Sequence, residues 1–266
     1  MYHYRAPART GNRFRSGGVE NCVAAISPPQ FCEERSNSQF STGAFSSTLL
    51  YVNRKTAIRG NPYRLGVVIL AAGKSGRMGR PKLLLPWGET TILGRQTNVW
   101  RQWPAVRQVA VVCAAADEAM QAELDRLKVA EADRIFNPRP EQGMFSSIRC
   151  AAQWSGWKAE LTHWAISLGD QPQLRSETLT RLLETSAARP EKICQPQYQG
   201  RARHPVLLPK SLYLQLRETG AETLKEFLET SAAQVVTCEV DDPGLNFDID
   251  TPADYERVLA AFLRPR

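Results

Sequence analysis

Long apolar runs are missing from this chain of 266 residues. No stretch of 18 consecutive apolar residues occurs, so no segment is expected to span a membrane. Histidine is scarce, with 3 residues, and the 6 cysteines form no Cys-x-x-Cys pair. This scarcity argues against a zinc site and a disulfide framework, and it favours buried, reduced thiols in a cytoplasmic protein.

Runs of lysine or arginine are also missing, although the net charge is +7. Residues 1–63 contain 8 Lys and Arg against 3 Asp and Glu, which leaves 26 against 24 in residues 64–266. The larger part of the chain is therefore almost neutral. We expect no nucleic-acid surface, and we interpret the few clustered cations as a site for a local anion.

Residues 1–63 are rich in Arg, Ser, Asn and Gly and show no sustained helical or strand periodicity. We interpret them as a disordered extension or as a mis-assigned gene start, with an organelle transit peptide as the alternative. The first domain boundary is therefore placed at residue 64.

Residues 64–266 alternate between apolar and amphipathic segments. Apolar runs at 66–71, 108–113, 133–136 and 163–168 indicate strands, and amphipathic stretches at about 91–103, 117–128 and 143–154 indicate helices. Repeated βα units predict one α/β domain with a mostly parallel sheet. Ligands of such sheets bind beyond the carboxyl ends of the strands, which directs attention to residues 71–82, 137–147, 169–172 and 246–252.

The first of these segments is glycine-rich and basic. Its glycines are spaced Gly-x-x-Gly-x-x-Gly (Gly73, Gly76 and Gly79), and its cations are Lys74, Arg77, Arg80 and Lys82. Neither a Walker A loop nor a dinucleotide fingerprint has this spacing. Free backbone amides beside fixed cations are typical of a polyphosphate site, and the alternative is an ordinary glycine-rich turn.

Two acidic segments follow later strands. Asp170 comes after the strand that ends at Leu168. A single carboxylate at this position suits Mg²⁺, and the alternative is that Asp170 caps the next turn. Asp248 and Asp250 are expected on one side of a short strand. Thr251 is expected to cap the following helix together with Asp254.

Two further segments carry polar side chains suited to substrate binding. Ser146 and Ser147 lie where a loop opens a helix, and they could bind a base or ribose or else cap that helix. Arg203 and His204 lie beside a later strand and could hold a second anion.

In combination, these segments resemble the molybdenum cofactor cytidylyltransferases of the Rossmann-like nucleotidyltransferase superfamily. The matching motifs are LAAGKSGRMGRPKLLLP at 70–86, QGMFSSI at 142–148, GDQP at 169–172, RHPVLL at 203–208 and DIDTPADY at 248–255. The resemblance covers about residues 65–263. It implies a three-layer Rossmann-like α/β fold with a mostly parallel central sheet.

The resemblance also implies roles for individual residues. Arg77, Lys82 and Asp170 would be catalytic, Asp170 and Asp250 would bind Mg²⁺, and Arg203 and His204 would face the acceptor. The implied nucleotide-binding residues are Leu70, Ala71, Ala72, Gly73, Ser75, Gly76, Arg77, Lys82, Ser146 and Ser147.

The implied reaction is transfer of CMP from CTP to the terminal phosphate of molybdopterin, with release of pyrophosphate. A molybdenum hydroxylase is a candidate client. Three alternatives stay open at this point: a nucleotidyltransferase with another acceptor or GTP, a molybdenum cofactor chaperone, and an NAD(P)H oxidoreductase.

Overall fold

The computed structural model describes residues 63–115 and 117–263. The strands are β1 (Leu65–Leu70), β2 (Pro86–Trp87), β3 (Thr90–Thr91), β4 (Val106–Ala114), β5 (Arg134–Asn137), β6 (His163–Leu168), β7 (Ile193–Tyr198), β8 (Arg201–Ala202), β9 (Val206–Pro209) and β10 (Val235–Glu239). The helices are α1 (Ile92–Arg101), α2 (Glu118–Arg126), α3 (Met144–Gln153), α4 (Ser176–Ala188), α5 (Lys210–Gln215), α6 (Leu224–Thr230) and α7 (Pro252–Phe262). The four strands and three helices expected from periodicity are confirmed, with ends shifted by a few residues.

The main sheet has the order β10-β7-β9-β6-β1-β4-β5, with β8 paired to β7. β1 lies between β4 and β6 and is parallel to both, while β9 is antiparallel to β6 and β7. The carboxyl ends of β1, β4, β5, β6, β7 and β10 therefore meet at one edge, and β9 begins there. The predicted mostly parallel sheet is confirmed.

Two hydrophobic clusters cover the two faces of this sheet. Alternate residues of β1 divide between them: Val67 and Ile69 pack with α1, α2, α4 and α7, and Val68 packs with α3, α5 and α6. β1 is buried on both faces, which explains its continuous apolar sequence. The result is the expected three-layer arrangement.

The capping box predicted for α7 is confirmed. The Thr251 hydroxyl accepts from the Asp254 backbone N–H at 3.2 Å, and the Asp254 carboxylate accepts from the Thr251 N–H at 2.9 Å. The short strand predicted through Asp248 and Asp250 is wrong, because residues 247–250 pair with no strand. Side chains of other segments hold this stretch instead, as described below.

Within the described residues, no helix is long and apolar enough to cross a membrane. The predicted disordered extension or mis-assigned start at residues 1–63 lies outside the described part of the chain, apart from Tyr63. The single domain over residues 64–266 stays a prediction.

Candidate active site

The glycine-rich loop leaves the sheet at the carboxyl end of β1 and folds back on itself. It contains two short 3₁₀ turns, Gly76–Met78 and Lys82–Leu84. The Ser75 hydroxyl accepts from the Lys82 backbone N–H at 2.9 Å and closes the loop between them. Gly79 has a φ of 68°, a conformation that side-chain-bearing residues rarely adopt. This closure fixes where the Lys82 side chain leaves the backbone.

The other two loop glycines leave one side of the loop open. Gly73 and Gly76 do not have positive φ, and a Cβ placed on either would meet nothing within 4 Å. Their open side belongs to a cleft of about 430 Å³, which we call the loop cleft. Its walls include Ala71, Gly73, Ser75, Gly76 and Arg80. The absent side chains leave the backbone of the loop accessible to a ligand.

Lys82 brings together the two acids implied as metal ligands. Its Nζ lies 2.5 Å from Oδ2 of Asp170 and 3.1 Å from Oδ1 of Asp250, and the second Asp250 oxygen lies 2.8 Å from an Arg77 nitrogen. These four residues come from three segments distant in sequence. Arg77 is largely exposed, with 73% of its side chain accessible, whereas the Lys82 side chain is 14% accessible.

The charge state of Lys82 follows from these neighbours. Burial alone would lower the pKa of its ammonium, but the charges and hydrogen bonds of Asp170 and Asp250 outweigh burial and raise that pKa. Lys82 is therefore a firmly charged cation at neutral pH. Burial, followed by the charges of Asp170 and Asp250, raises the pKa of the neighbouring Asp248.

Close contact between β1 and β6 places Asp170 beside the loop. The backbone N–H of Gly169 donates to the Leu70 carbonyl at 3.0 Å, and a Cβ at Gly169 would lie 2.7 Å from that carbonyl oxygen. Only glycine permits this approach without movement. On the other side, the buried Gln96 amide donates to the Gln171 carbonyl and ties the segment to α1.

A second set of buried polar contacts positions the segment that carries Asp250. The Gln173 amide donates to the carbonyls of Gly244 and Phe247 at 3.0 and 2.8 Å. Asp242, only 1% exposed, accepts from the Gly244 N–H at 2.9 Å and from the Thr178 hydroxyl at 2.7 Å. Ile249 is fully buried, so Asp248 and Asp250 flank a residue anchored in the core.

A larger cleft of about 850 Å³ lies at the same edge of the sheet. We call it the strand-end cleft; its walls include Gln171, Gln195, Arg203, His204, Leu228 and Asp248. Most of the exposed wall is apolar. Asp248 belongs to this cleft, while Pro81 and Leu83, the neighbours of Lys82, line the loop cleft.

Arg203 and His204 enter the strand-end cleft just before β9. The Arg203 guanidinium donates twice to the Asn246 side-chain oxygen, at 3.1 and 2.5 Å, which fixes its position. His204 Nδ1 lies 3.3 Å from the Ile166 carbonyl, and burial lowers the pKa of this imidazole. At neutral pH His204 is therefore uncharged, and only Arg203 of this pair offers positive charge.

The two serines implied in nucleotide binding lie in the first turn of α3. The buried Asn137 amide donates to the hydroxyls of Ser146 and Ser147 at 2.8 and 2.9 Å, and Ser146 also donates to the Gly143 carbonyl at 2.7 Å. The helix has Gly143 rather than a serine as its N-cap, so a serine-capped helix is wrong. Ser147 is 4% exposed, and Ser146 is the more accessible of the two hydroxyls.

The remaining implied nucleotide-binding residues lie at the start of the loop. Leu70 ends β1, and Ala71 donates its N–H to the Val112 carbonyl of β4 at 2.8 Å. Ala72 follows in the irregular part of the loop and is half-buried. Sequence reasoning missed Asn137, Gln173 and Asp242, whose roles are contacts between segments. The one signal for them was a neighbouring proline, at positions 138, 172 and 243.

The donor set fits a hard divalent cation that shares its ligands with a substrate. Oδ2 of Asp170 and Oδ1 of Asp250 both contact the Lys82 Nζ atom, at 2.5 and 3.1 Å. These two carboxylate oxygens are therefore neighbours in space. Among the described residues, no group of three or more His, Cys, Asp or Glu could enclose a metal. Mg²⁺ prefers one or two carboxylates with waters and phosphate oxygens, which matches this sparse set.

This fold, with a glycine-rich loop and an acidic pair at the carboxyl edge, is that of a nucleotidyltransferase. The chain belongs to the family of the MobA-like NTP transferase domain, whose model matches residues 67–237. It is 25% identical over 189 residues to the molybdenum cofactor cytidylyltransferase of Escherichia coli (strain K12). The aligned residues cover 71% of this chain and 92% of the relative.

Two further relatives extend the comparison. The chain is 29% identical over 217 residues to the purine catabolism protein PucB of Bacillus subtilis (strain 168), over 76% of this chain and 98% of that protein. The crystal structure of the Mycobacterium tuberculosis rv0371c homolog from Mycobacterium sp. strain JC1 superposes with a TM-score of 0.61 at 28% identity, over 76% of this chain and 98% of that one.

Proposed function

We propose that this nucleotidyltransferase moves CMP from CTP to the terminal phosphate of molybdopterin and releases pyrophosphate. The observation that carries the proposal is the Lys82 ammonium held between Asp170 and Asp250 at the carboxyl edge of the sheet. The choice of CTP and molybdopterin rests on the cytidylyltransferase relative and on the resemblance of the loop motif at 70–86 to that family.

The two clefts divide the substrates. The loop cleft offers backbone amides and the cations Lys74 and Arg80 to a triphosphate. The strand-end cleft has about 850 Å³ of space, an apolar wall and the fixed cation Arg203, which suits a ring system that carries a phosphate. An acceptor phosphate in the strand-end cleft would lie at the same edge of the sheet as the two acids.

The chemistry needs no general base from the protein. A phosphate monoester has a second pKa of roughly 6, so near pH 7 the attacking oxygen is already largely deprotonated. That oxygen forms a bond to the α-phosphorus of CTP, the bond from this phosphorus to the bridging oxygen breaks, and pyrophosphate leaves with the electron pair.

The obstacle is repulsion between two anions, and this chain's cations offset it. Lys82 is held at the cluster and Arg77 reaches it from the exposed loop, so both can contact phosphate oxygens. Asp170 and Asp250 would hold Mg²⁺, which when bound supplies charge neutralisation and fixed geometry to the triphosphate. Arg77, Lys82 and Asp170 are therefore proposed as catalytic residues.

The test is pyrophosphate release with CTP, GTP or ATP in the presence of molybdopterin and Mg²⁺. We expect pyrophosphate release with CTP, together with a product whose mass is that of the dinucleotide cofactor. The Asp170→Asn variant tests the role of this acid, because it keeps the shape of the side chain while removing its charge. This variant should lose turnover. Release that is equal in the variant would refute the role of Asp170.

Other outcomes of the same panel identify the alternatives. Release with GTP, or only with another phosphorylated acceptor, would correct the substrate; the purine catabolism relative makes that arm necessary. Molybdopterin binding without pyrophosphate would indicate a chaperone, and NADPH consumption an oxidoreductase. We place the reaction in the cytoplasm and take a molybdenum hydroxylase as the candidate client, which co-purification with the cofactor-loaded hydroxylase would test.

A further inference from the structure

The Lys82 ammonium contacts both acids, as a metal ion bound by them would. Its ammonium touches Oδ2 of Asp170 at 2.5 Å and Oδ1 of Asp250 at 3.1 Å. Those are carboxylate oxygens that a divalent cation would need. A divalent cation at these oxygens would lie close to the ammonium, and two cations at such short separation repel each other.

We propose that Lys82 is an exchangeable internal counter-ion, which neutralises Asp170 and Asp250 in the metal-free protein and is released toward the phosphates when a divalent cation binds. The inference rests on the proposed function only in taking these two acids as the metal ligands. It assigns Lys82 a role before catalysis as well as during it.

Three observations support exchange rather than a permanent ion pair. The side chains of the two acids remain partly accessible, with exposures of 22% for Asp170 and 32% for Asp250. Arg77, on an exposed side chain, already shares Asp250, so this acid keeps a cation when Lys82 leaves. The Lys82 backbone is fixed by Ser75, which restricts the exchange to the flexible end of the side chain.

The counter-ion also explains how two acids can be kept ready side by side. Like charges at short separation repel. The Lys82 ammonium lies between the two carboxylates and offsets this repulsion before a metal arrives. The cost is a lower intrinsic metal affinity, because binding must displace the ammonium.

The experiment is a titration of the full chain with Mn²⁺ alone. Binding is measured by calorimetry and by the loss of the electron paramagnetic resonance signal of free Mn²⁺. Lys82→Met and Lys82→Gln should each bind Mn²⁺ at least about tenfold more tightly than the wild type, while losing turnover. Lys74→Met is the matched control, because it removes the same charge from the same loop at an exposed position. Its affinity should change much less.

A second measurement uses the wild type alone. Reductive methylation followed by peptide mass spectrometry should label Lys82 slowly without metal and faster in saturating Mg²⁺, with Lys74 labelled equally in both. Unchanged or weaker Mn²⁺ binding in the neutral variants, or Lys82 labelling that metal does not alter, would overturn the proposal. Both readouts work without CTP or molybdopterin, so a wrong substrate assignment would not affect them.

Discussion

Gly169→Ala is the substitution whose effect the structure specifies most fully. The added Cβ would lie 2.7 Å from the Leu70 carbonyl oxygen and 3.3 Å from a Leu83 methyl group. Leu83 can yield, but the carbonyl belongs to the backbone of β1. Since ordinary contacts begin near 3.4 Å, the ends of β1 and β6 must separate by about 0.7 Å.

This separation has two calculable effects. Overpacking of this kind costs about 1–3 kcal/mol, and a domain of this size loses roughly 2–4 °C in Tm per kcal/mol. Asp170, the next residue, moves away from the loop that holds Lys82. Misplacement by about 1 Å costs up to 10²-fold in rate, so we expect kcat/KM to fall by about 10- to 100-fold.

The assays are thermal unfolding and pyrophosphate release under the conditions of the substrate panel. Gly220→Ala is the matched control, because a Cβ there meets nothing within 4 Å and the residue lies outside both clefts. It should leave both readouts unchanged. A Gly169→Ala protein with wild-type Tm and wild-type rate would refute the argument that this strand contact positions Asp170.

Two further substitutions test separate parts of the account. Gly76→Ala adds a Cβ into the open side of the loop cleft, so it should leave Tm unchanged but raise the KM for nucleotide several-fold; an unchanged KM would remove the triphosphate from this loop. Burial lowers the pKa of His163, whose Nε2–H donates to the Pro190 carbonyl at 2.8 Å. As the pH falls, His163 is therefore protonated in the unfolded chain before it is protonated in the folded chain. Its contribution to stability is fully present above pH 6.5 and is lost as the pH falls toward the folded pKa. His163→Gln should flatten the fall in urea-unfolding free energy between pH 7 and 5, and an equal slope in both proteins would contradict the assignment.

The parallel sheet could be predicted because its signals are local. β1 is a continuous apolar run, and the capping residues of α7 lie within four positions of one another, so propensity and spacing suffice. The strand expected at 247–250 failed for the opposite reason. Alternation around the buried Ile249 is real, but the Gln173 amide holds this stretch by donating to the Phe247 carbonyl from another segment, and no local pattern reports such a contact.

The site was only partly accessible to sequence reasoning. Lys82, Asp170 and Asp250 could be nominated because each follows a recognisable signal, yet their meeting within 3.1 Å depends on the strand order. The glycines show a similar limit: Gly79 needs its positive φ, whereas Gly169 matters through its distance to Leu70. Contacts between distant segments require the folded chain.

The most direct test of the central claim is a crystal structure of the full chain soaked with CTP and Mn²⁺, with the metal located by its anomalous signal. We predict one metal position contacted by Asp170, Asp250 and phosphate oxygens, with the triphosphate against the loop of residues 73–81. A metal bound away from either acid, or a triphosphate bound outside the loop cleft, would contradict it.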